Sequence, residues 1–94
     1  MQISITQIHA VELFGVPRLL TGVHVVEAAG STLGALAADL ARRAPALAGP
    51  VLDADSGWPN AGYCFVVDER FTRDPAFALT AGATVILVAS VAGG

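Results

Sequence analysis

Two glycines stand at the end of the sequence, Gly93 and Gly94, and their chemical use is the plainest of any residues in it. Glycine has no Cβ and populates most backbone conformations, so a Gly-Gly end is thin enough to thread a channel that excludes other residues. A carboxylate carried on such an end, that of Gly94, can be delivered into the active site of another protein. Val91 and Ala92 complete the run Val91-Ala92-Gly93-Gly94, which follows a β-rich segment from Ala83 to Val88. A tail over residues 89–94 is therefore expected to leave the folded part. The competing reading is a frayed end, the ordinary state of chain termini, and the rest of the chain decides between the two.

Other reactive side chains offer less. His9 and His24 have no acidic or cysteine partner at ligand spacing, and surface or strand-filling roles are expected for both. Cys64 stands between Tyr63 and Phe65, where a buried, inert thiol is expected. As the sole cysteine it forms no internal disulfide or thiolate zinc site. Asp53 and Asp55 resemble the start of a calcium loop, but Trp58 and Pro59 replace the rest of that pattern, so no metal is assigned. Trp58 is expected to cover the edge of a sheet or helix. Gly15-Val16-Pro17-Arg18 lacks the glycine spacing and lysine of a phosphate-binding loop, and no cofactor is expected on this chain.

Composition bounds the setting of these residues. At 94 residues the chain fits one domain, 1–94, with one core. Hydrophobic residues make up 54% and charged ones 14%, the opposite of a disordered composition. Every apolar run is interrupted before the roughly 18 to 20 residues of a membrane span. Met1-Gln2-Ile3-Ser4 has no secretion-signal pattern, so a cytoplasmic location with no membrane partner is expected. A net charge of −3 opposes nucleic-acid binding, which needs cations to neutralise phosphates. All five cations are arginine, Arg18, Arg42, Arg43, Arg70 and Arg73, and the sequence contains no lysine.

The elements that must position the tail follow from periodicity. Ile3 to Phe14 alternates as a half-buried strand, with Val11 and Leu13 on one face and Glu12 and Phe14 on the other. Gly15, Pro17 and Gly22 mark a turn region before a second strand, His24 to Ala28, and the two strands form an antiparallel hairpin. Ser31 or Thr32 caps a helix whose Leu33, Leu36, Ala37 and Leu40 recur at helical spacing; Arg42 and Arg43 suit its negative end, and Pro45 stops it. Residues 46–62 read as mostly loop with a short turn at Val51-Leu52, Tyr63 to Val67 as a largely covered strand, Asp68 to Pro75 as a charged turn, and Ala83 to Val88 as the last strand. The first and last strands are expected side by side and parallel. This order specifies an α+β fold of the β-grasp, ubiquitin-like type: a mixed sheet of four to five strands on one main helix.

Along nearly the whole chain outside residues 49–62, the pieces resemble the small sulfur-carrier proteins of molybdopterin and thiamine synthesis, and most of all the molybdopterin synthase small subunit. They are Leu13-Phe14-Gly15, Arg18 to Gly22, Gly30-Ser31-Thr32-Leu33, Pro45-Ala46-Leu47, Val66 to Glu69, Leu79 to Val85, and Val91 to Gly94. The chain departs from the family where Ala83 follows Gly82 in place of aspartate, and where Asp68-Glu69 replaces Asn-Gly. It also has Ala89-Ser90 where molybdopterin-type members commonly carry two prolines.

The resemblance implies a carrier and protein substrate, not a catalyst on its own. An adenylyltransferase related to ubiquitin E1, using ATP and magnesium, would transfer AMP to the Gly94 carboxylate. Sulfur from a persulfide donor would then displace AMP and leave a thiocarboxylate, a better nucleophile than the acid. The acceptor would be the large synthase subunit or another sulfur-accepting enzyme. Phe14, Phe71 and Val88 match positions where the family presents apolar residues to partners, the competing role for the two phenylalanines being to plug the sheet ends, and Arg18 matches a position suited to an anion; Val91 and Ala92 would contact the partner, and Gly93 would give clearance beside Gly94. Two alternatives stand beside molybdopterin synthesis: a carrier for cysteine, thiamine or a thio-containing product, and a modifier conjugated through Gly94.

Overall fold

The computed structural model describes residues 7–90, and their order of elements is governed by the two periodicities of the sequence. β1 (Ile8–Leu13) buries alternate residues, His9, Val11 and Leu13. It pairs antiparallel with β2 (Val25–Ala29) and parallel with β5 (Val85–Ala89). β5 also pairs antiparallel with β3 (Tyr63–Val67), which carries β4 (Arg70–Thr72) on its far edge. The five-stranded sheet thus runs β2-β1-β5-β3-β4, with the strand that leads to the tail at its centre.

One face of this sheet is covered by α2 (Leu33–Arg43). Thr32 is its N-cap: the hydroxyl accepts from the Ala35 amide at 3.2 Å. The next orphan amides are met from outside the helix, Leu33 donating to the Phe77 carbonyl and Gly34 to that of Pro75. An 11-residue helix is marginal by itself. What holds it is the stripe Leu33, Leu36, Ala37 and Leu40, each fully buried against Val11, Leu13, Phe65, Val67, Val85 and Leu87. A buried leucine contributes roughly 1.5–3 kcal/mol, so the stripe outweighs the propensity terms. Arg42 and Arg43 occupy the last turn and both pair with Asp39, whose carboxylate also accepts the Ala29 amide at 2.7 Å and so ties the helix to β2.

The β-grasp architecture is as expected, and four local expectations change. The turn region between the first strands contains a six-residue helix, α1 (Val16–Thr21), opened by Pro17 and closed by Gly22 in the left-handed conformation. The charged turn after β3 is a hairpin: Asp68 and Glu69 form a two-residue turn, both at positive φ, and Arg70–Thr72 returns as the fifth strand. The segment read as loop after α2 opens with a 3-10 turn, Pro45–Leu47, and lays Leu47, Val51 and Leu52 into the core. Gly57 is buried there because a Cβ would meet the Ala37 carbonyl oxygen at 2.6 Å; only a glycine lets the chain approach α2 so closely. Trp58 packs on Phe65 with ring centroids 6.0 Å apart. The last strand runs on through Ala89, beyond the Val88 at which it was expected to end.

Candidate functional site

The face of the sheet opposite α2, open among the described residues, gathers several apolar residues that the core does not use. Strand pairing sets Glu12 beside Ile86, Ile86 beside Val66 and Val66 beside Phe71, a row from β1 to β4. The next row joins Val88 to Cys64. Phe14 comes alongside it, its amide donating to the Leu87 carbonyl at 3.2 Å. Pleat alternation keeps all of these opposite the buried Val11, Leu13, Phe65 and Leu87. Phe71 is 72% exposed and Phe14 45%, while Ile86, Val66 and Val88 are half-buried. The two aromatics therefore do not plug the sheet ends; with Val88 they frame an apolar surface against the strand that leads to the tail. Single exposed apolar residues are ordinary, but a contiguous set on one face marks a contact surface.

Charged side chains border this surface. Glu12 and Glu27 lie toward β2, and Arg73 lies beyond β4. Arg73 reaches back over the sheet, its Nη2 donating to the Ser90 hydroxyl at 2.9 Å. The Ser90 amide donates to the Gly62 carbonyl at 2.7 Å, and Ala89 pairs with Tyr63, so the first two residues assigned to the tail are held to the sheet. At the turn end, Asp68 accepts from both the amide and hydroxyl of Thr84.

The remaining sequence candidates fall elsewhere. Arg18 lies on α1, and its Nη2 and the Nε2 of His24 are 2.8 Å apart; this contact sits at the end of β1, where the Leu13 amide donates to the His24 carbonyl. Val91, Ala92, Gly93 and Gly94 lie outside the described residues. His9 is buried, and its Nε2 has no hydrogen-bond partner among the described residues. Cys64 is 3% exposed despite belonging to the open face. Asp53 accepts from the amides of Asp55 and Ser56, which hold its carboxyl below the usual carboxylate range, the Ser56 bonds contributing most. Its oxygen is engaged in shaping the turn. Among the described residues no three His, Cys, Asp or Glu converge to hold a metal ion, and no helix is long and apolar enough to cross a membrane.

An open cleft of about 270 Å³ is lined by Leu20, Val23, Val26, Arg43 and Pro45, among others. It is smaller than most ligand sites and has few converging polar groups, so the open face is the stronger candidate. Sequence reasoning missed Ile86, Val66 and Arg73. Both strands carrying the first two are apolar on every residue, which conceals which side is covered. Arg73 gives no signal until the hairpin returns it toward Ser90.

Comparison with known proteins agrees with this geometry. A family model, the ThiS family, matches residues 11–94. No curated protein matches the chain. Among solved structures, small archaeal modifier protein 1 from Haloferax volcanii superposes with a TM-score of 0.76 at 22% identity, covering 93% of this chain and 99% of that one. The protein of the same name from Methanosarcina acetivorans gives 0.78 at 15% identity, covering 97% and 100%. The HVO 2177 protein of Haloferax volcanii gives 0.71 at 22%, covering 95% and 88%. At such identities these structures bear on the fold, which they share. It is the family match, running from the buried Val11 of β1 through the central strand to Gly94, that makes the assignment: the chain belongs to the ThiS family of ubiquitin-like sulfur carriers.

Proposed function

We propose that this protein carries sulfur as a thiocarboxylate on Gly94, and that it is the substrate of its partners rather than a catalyst. The observation that carries the reading is a family match extending through Gly93 and Gly94, on a chain whose central strand leads to those residues beside an exposed apolar face. A carboxylate is a poor electrophile because its charge is delocalised and its leaving group is oxide. An E1-like adenylyltransferase, with its own ATP and magnesium, converts it to an acyl adenylate; the terminal sulfur of a persulfide donor displaces AMP to give an acyl disulfide, and a second thiol attacks the donor's sulfur, breaking the S–S bond and freeing the thiocarboxylate. Phe14, Phe71 and Val88 dock the activating enzyme, the two aromatics serving as anchors. Gly93 and Gly94 provide clearance in the partner's channel.

Within that reading we place the chain in molybdopterin synthesis, as the small subunit partnering a large synthase subunit. Support comes from the order of its sequence pieces and from residues 49–62, a stretch that is usually shorter in thiamine-type carriers. Adenylation is tested by ATP–pyrophosphate exchange with the host's E1-like enzyme. Exchange that depends on this protein and vanishes on deleting Gly94 is expected; exchange unaffected by that deletion contradicts the reading. Pathway is tested by affinity capture from the native host. Recovery of a large synthase subunit supports the molybdopterin assignment, whereas recovery of enzymes of cysteine, thiamine or natural-product sulfur transfer, or of conjugates on target lysines, replaces it.

A further inference from the structure

We propose that Arg73 is a positioning residue for the tail, acting through Ser90 to fix the backbone at the point from which residues 91–94 continue. The inference rests on the sulfur-carrier reading for its consequence, although the geometry stands without it. Ser90 is the last described residue, and two separate segments hold it: the Gly62 carbonyl takes its amide at 2.7 Å, and the Arg73 guanidinium gives a hydrogen bond to its hydroxyl at 2.9 Å. Arg73 follows Thr72, which pairs with Phe65, so its side chain crosses β3 on the open face to reach the end of β5. Four residues extend at most about 14 Å, so a change of direction at Ser90 moves the reacting carboxyl group by a large part of its reach. Gly62 presents its carbonyl from a φ of 98°, a conformation that favours glycine, which makes the first anchor a built feature of the backbone.

Neither Ala89 nor Ser90 is proline, so no pyrrolidine ring fixes φ at the tail root. A pair of hydrogen bonds to one residue supplies restraint of a different kind. Arg73 is exposed, so its bond to Ser90 contributes little to global stability. Its effect is confined to the tail root, which separates a positioning role from a structural one.

Arg73→Gln, Arg73→Lys, Ser90→Ala and the double variant test the idea in the full chain by two readouts. Amide hydrogen exchange needs no partner: Arg73→Gln should speed exchange at Ser90 several-fold and leave Leu87 unchanged, with Arg73→Lys close to wild type. In adenylation by the E1-like enzyme, Arg73→Gln and Ser90→Ala should each lower kcat by roughly tenfold, as expected of a misdirected reacting group, with little change in KM. The double variant should be no worse than either single one. Wild-type exchange at Ser90 in Arg73→Gln overturns the proposal, as does a rise in KM alone, which would make Arg73 a docking contact. Absence of adenylation in the wild-type protein sinks the sulfur-carrier reading instead, and the Ser90 exchange rate still decides whether Arg73 holds the tail root.

Discussion

Asp68 and Glu69 hold left-handed backbone at the β3–β4 turn, at φ 47° and 71°. Such a conformation costs a non-glycine residue about 1–2 kcal/mol. Asp68 recovers part of this through its carboxylate, which accepts two hydrogen bonds from Thr84. Glu69 has no such bond among the described residues, and glycine is the residue such a turn favours at its second position. Glu69→Gly is therefore expected to stabilise the protein by about 1 kcal/mol, read as a higher thermal midpoint; a lower midpoint would mean that the Glu69 side chain has a role the turn geometry does not reveal. The exposed aromatics behave differently, because they contribute to contacts with other molecules. Phe71→Ala should weaken binding to the activating enzyme by about 1–3 kcal/mol while its thermal midpoint stays near wild type, and calorimetric titration with that enzyme checks it.

At the scale of elements, the 46–62 segment and α2 stand or fall together. Gly57→Ala forces a Cβ to within 2.6 Å of helix backbone and should destabilise by about 2 kcal/mol or more, measured by chemical denaturation. On the other side of the helix, Asp39 ties α2 to β2. Its carboxyl is held below the ordinary range first by the Ala29 amide and then, against a smaller opposing effect of burial, by Arg42 and Arg43. A lowered native pKa means that this contribution is complete above the unfolded-state value, near 3.8, and is lost as pH falls through the native one. Asp39→Asn should cost about 1–2 kcal/mol at neutral pH, with the difference from wild type shrinking below about pH 4.

These elements also show what a sequence discloses. Leu33, Leu36, Ala37 and Leu40 specify α2 almost to the residue, because their spacing, the Thr32 cap and the Pro45 stop all agree. β4 and α1 are three and six residues long, too short to carry a periodicity, and depend on Asp68-Glu69 and on Pro17 and Gly22 being read as particular turns. The charges beside Phe14 and Phe71 mark both as candidates for exposure, but only the structure decides between that and plugging the sheet ends. Ile86 and Val66 are not so marked, since their strands are apolar on both faces and only pairing with Glu12 and Phe71 separates the sides.

For the molecule as a whole, topology, surface and composition point the same way. The strand leading to the tail lies at the centre of the sheet, between parallel β1 and antiparallel β3, so the root of the tail is among the best supported parts of the fold. Phe14, Val88 and Phe71 share the face beside it. An acyl adenylate is attacked by amines, and the sequence has no lysine side chain to offer it, with arginine at all five cationic positions. The central claim is that the Gly94 carboxylate is converted to a thiocarboxylate in the cell. Intact-mass spectrometry of the protein purified from its native host reads this directly: a species heavier by the difference between one sulfur and one oxygen, confined to a terminal fragment containing Gly94, is the predicted result. Protein that carries only the unmodified carboxylate while its host is actively making sulfur-containing cofactors would contradict the account.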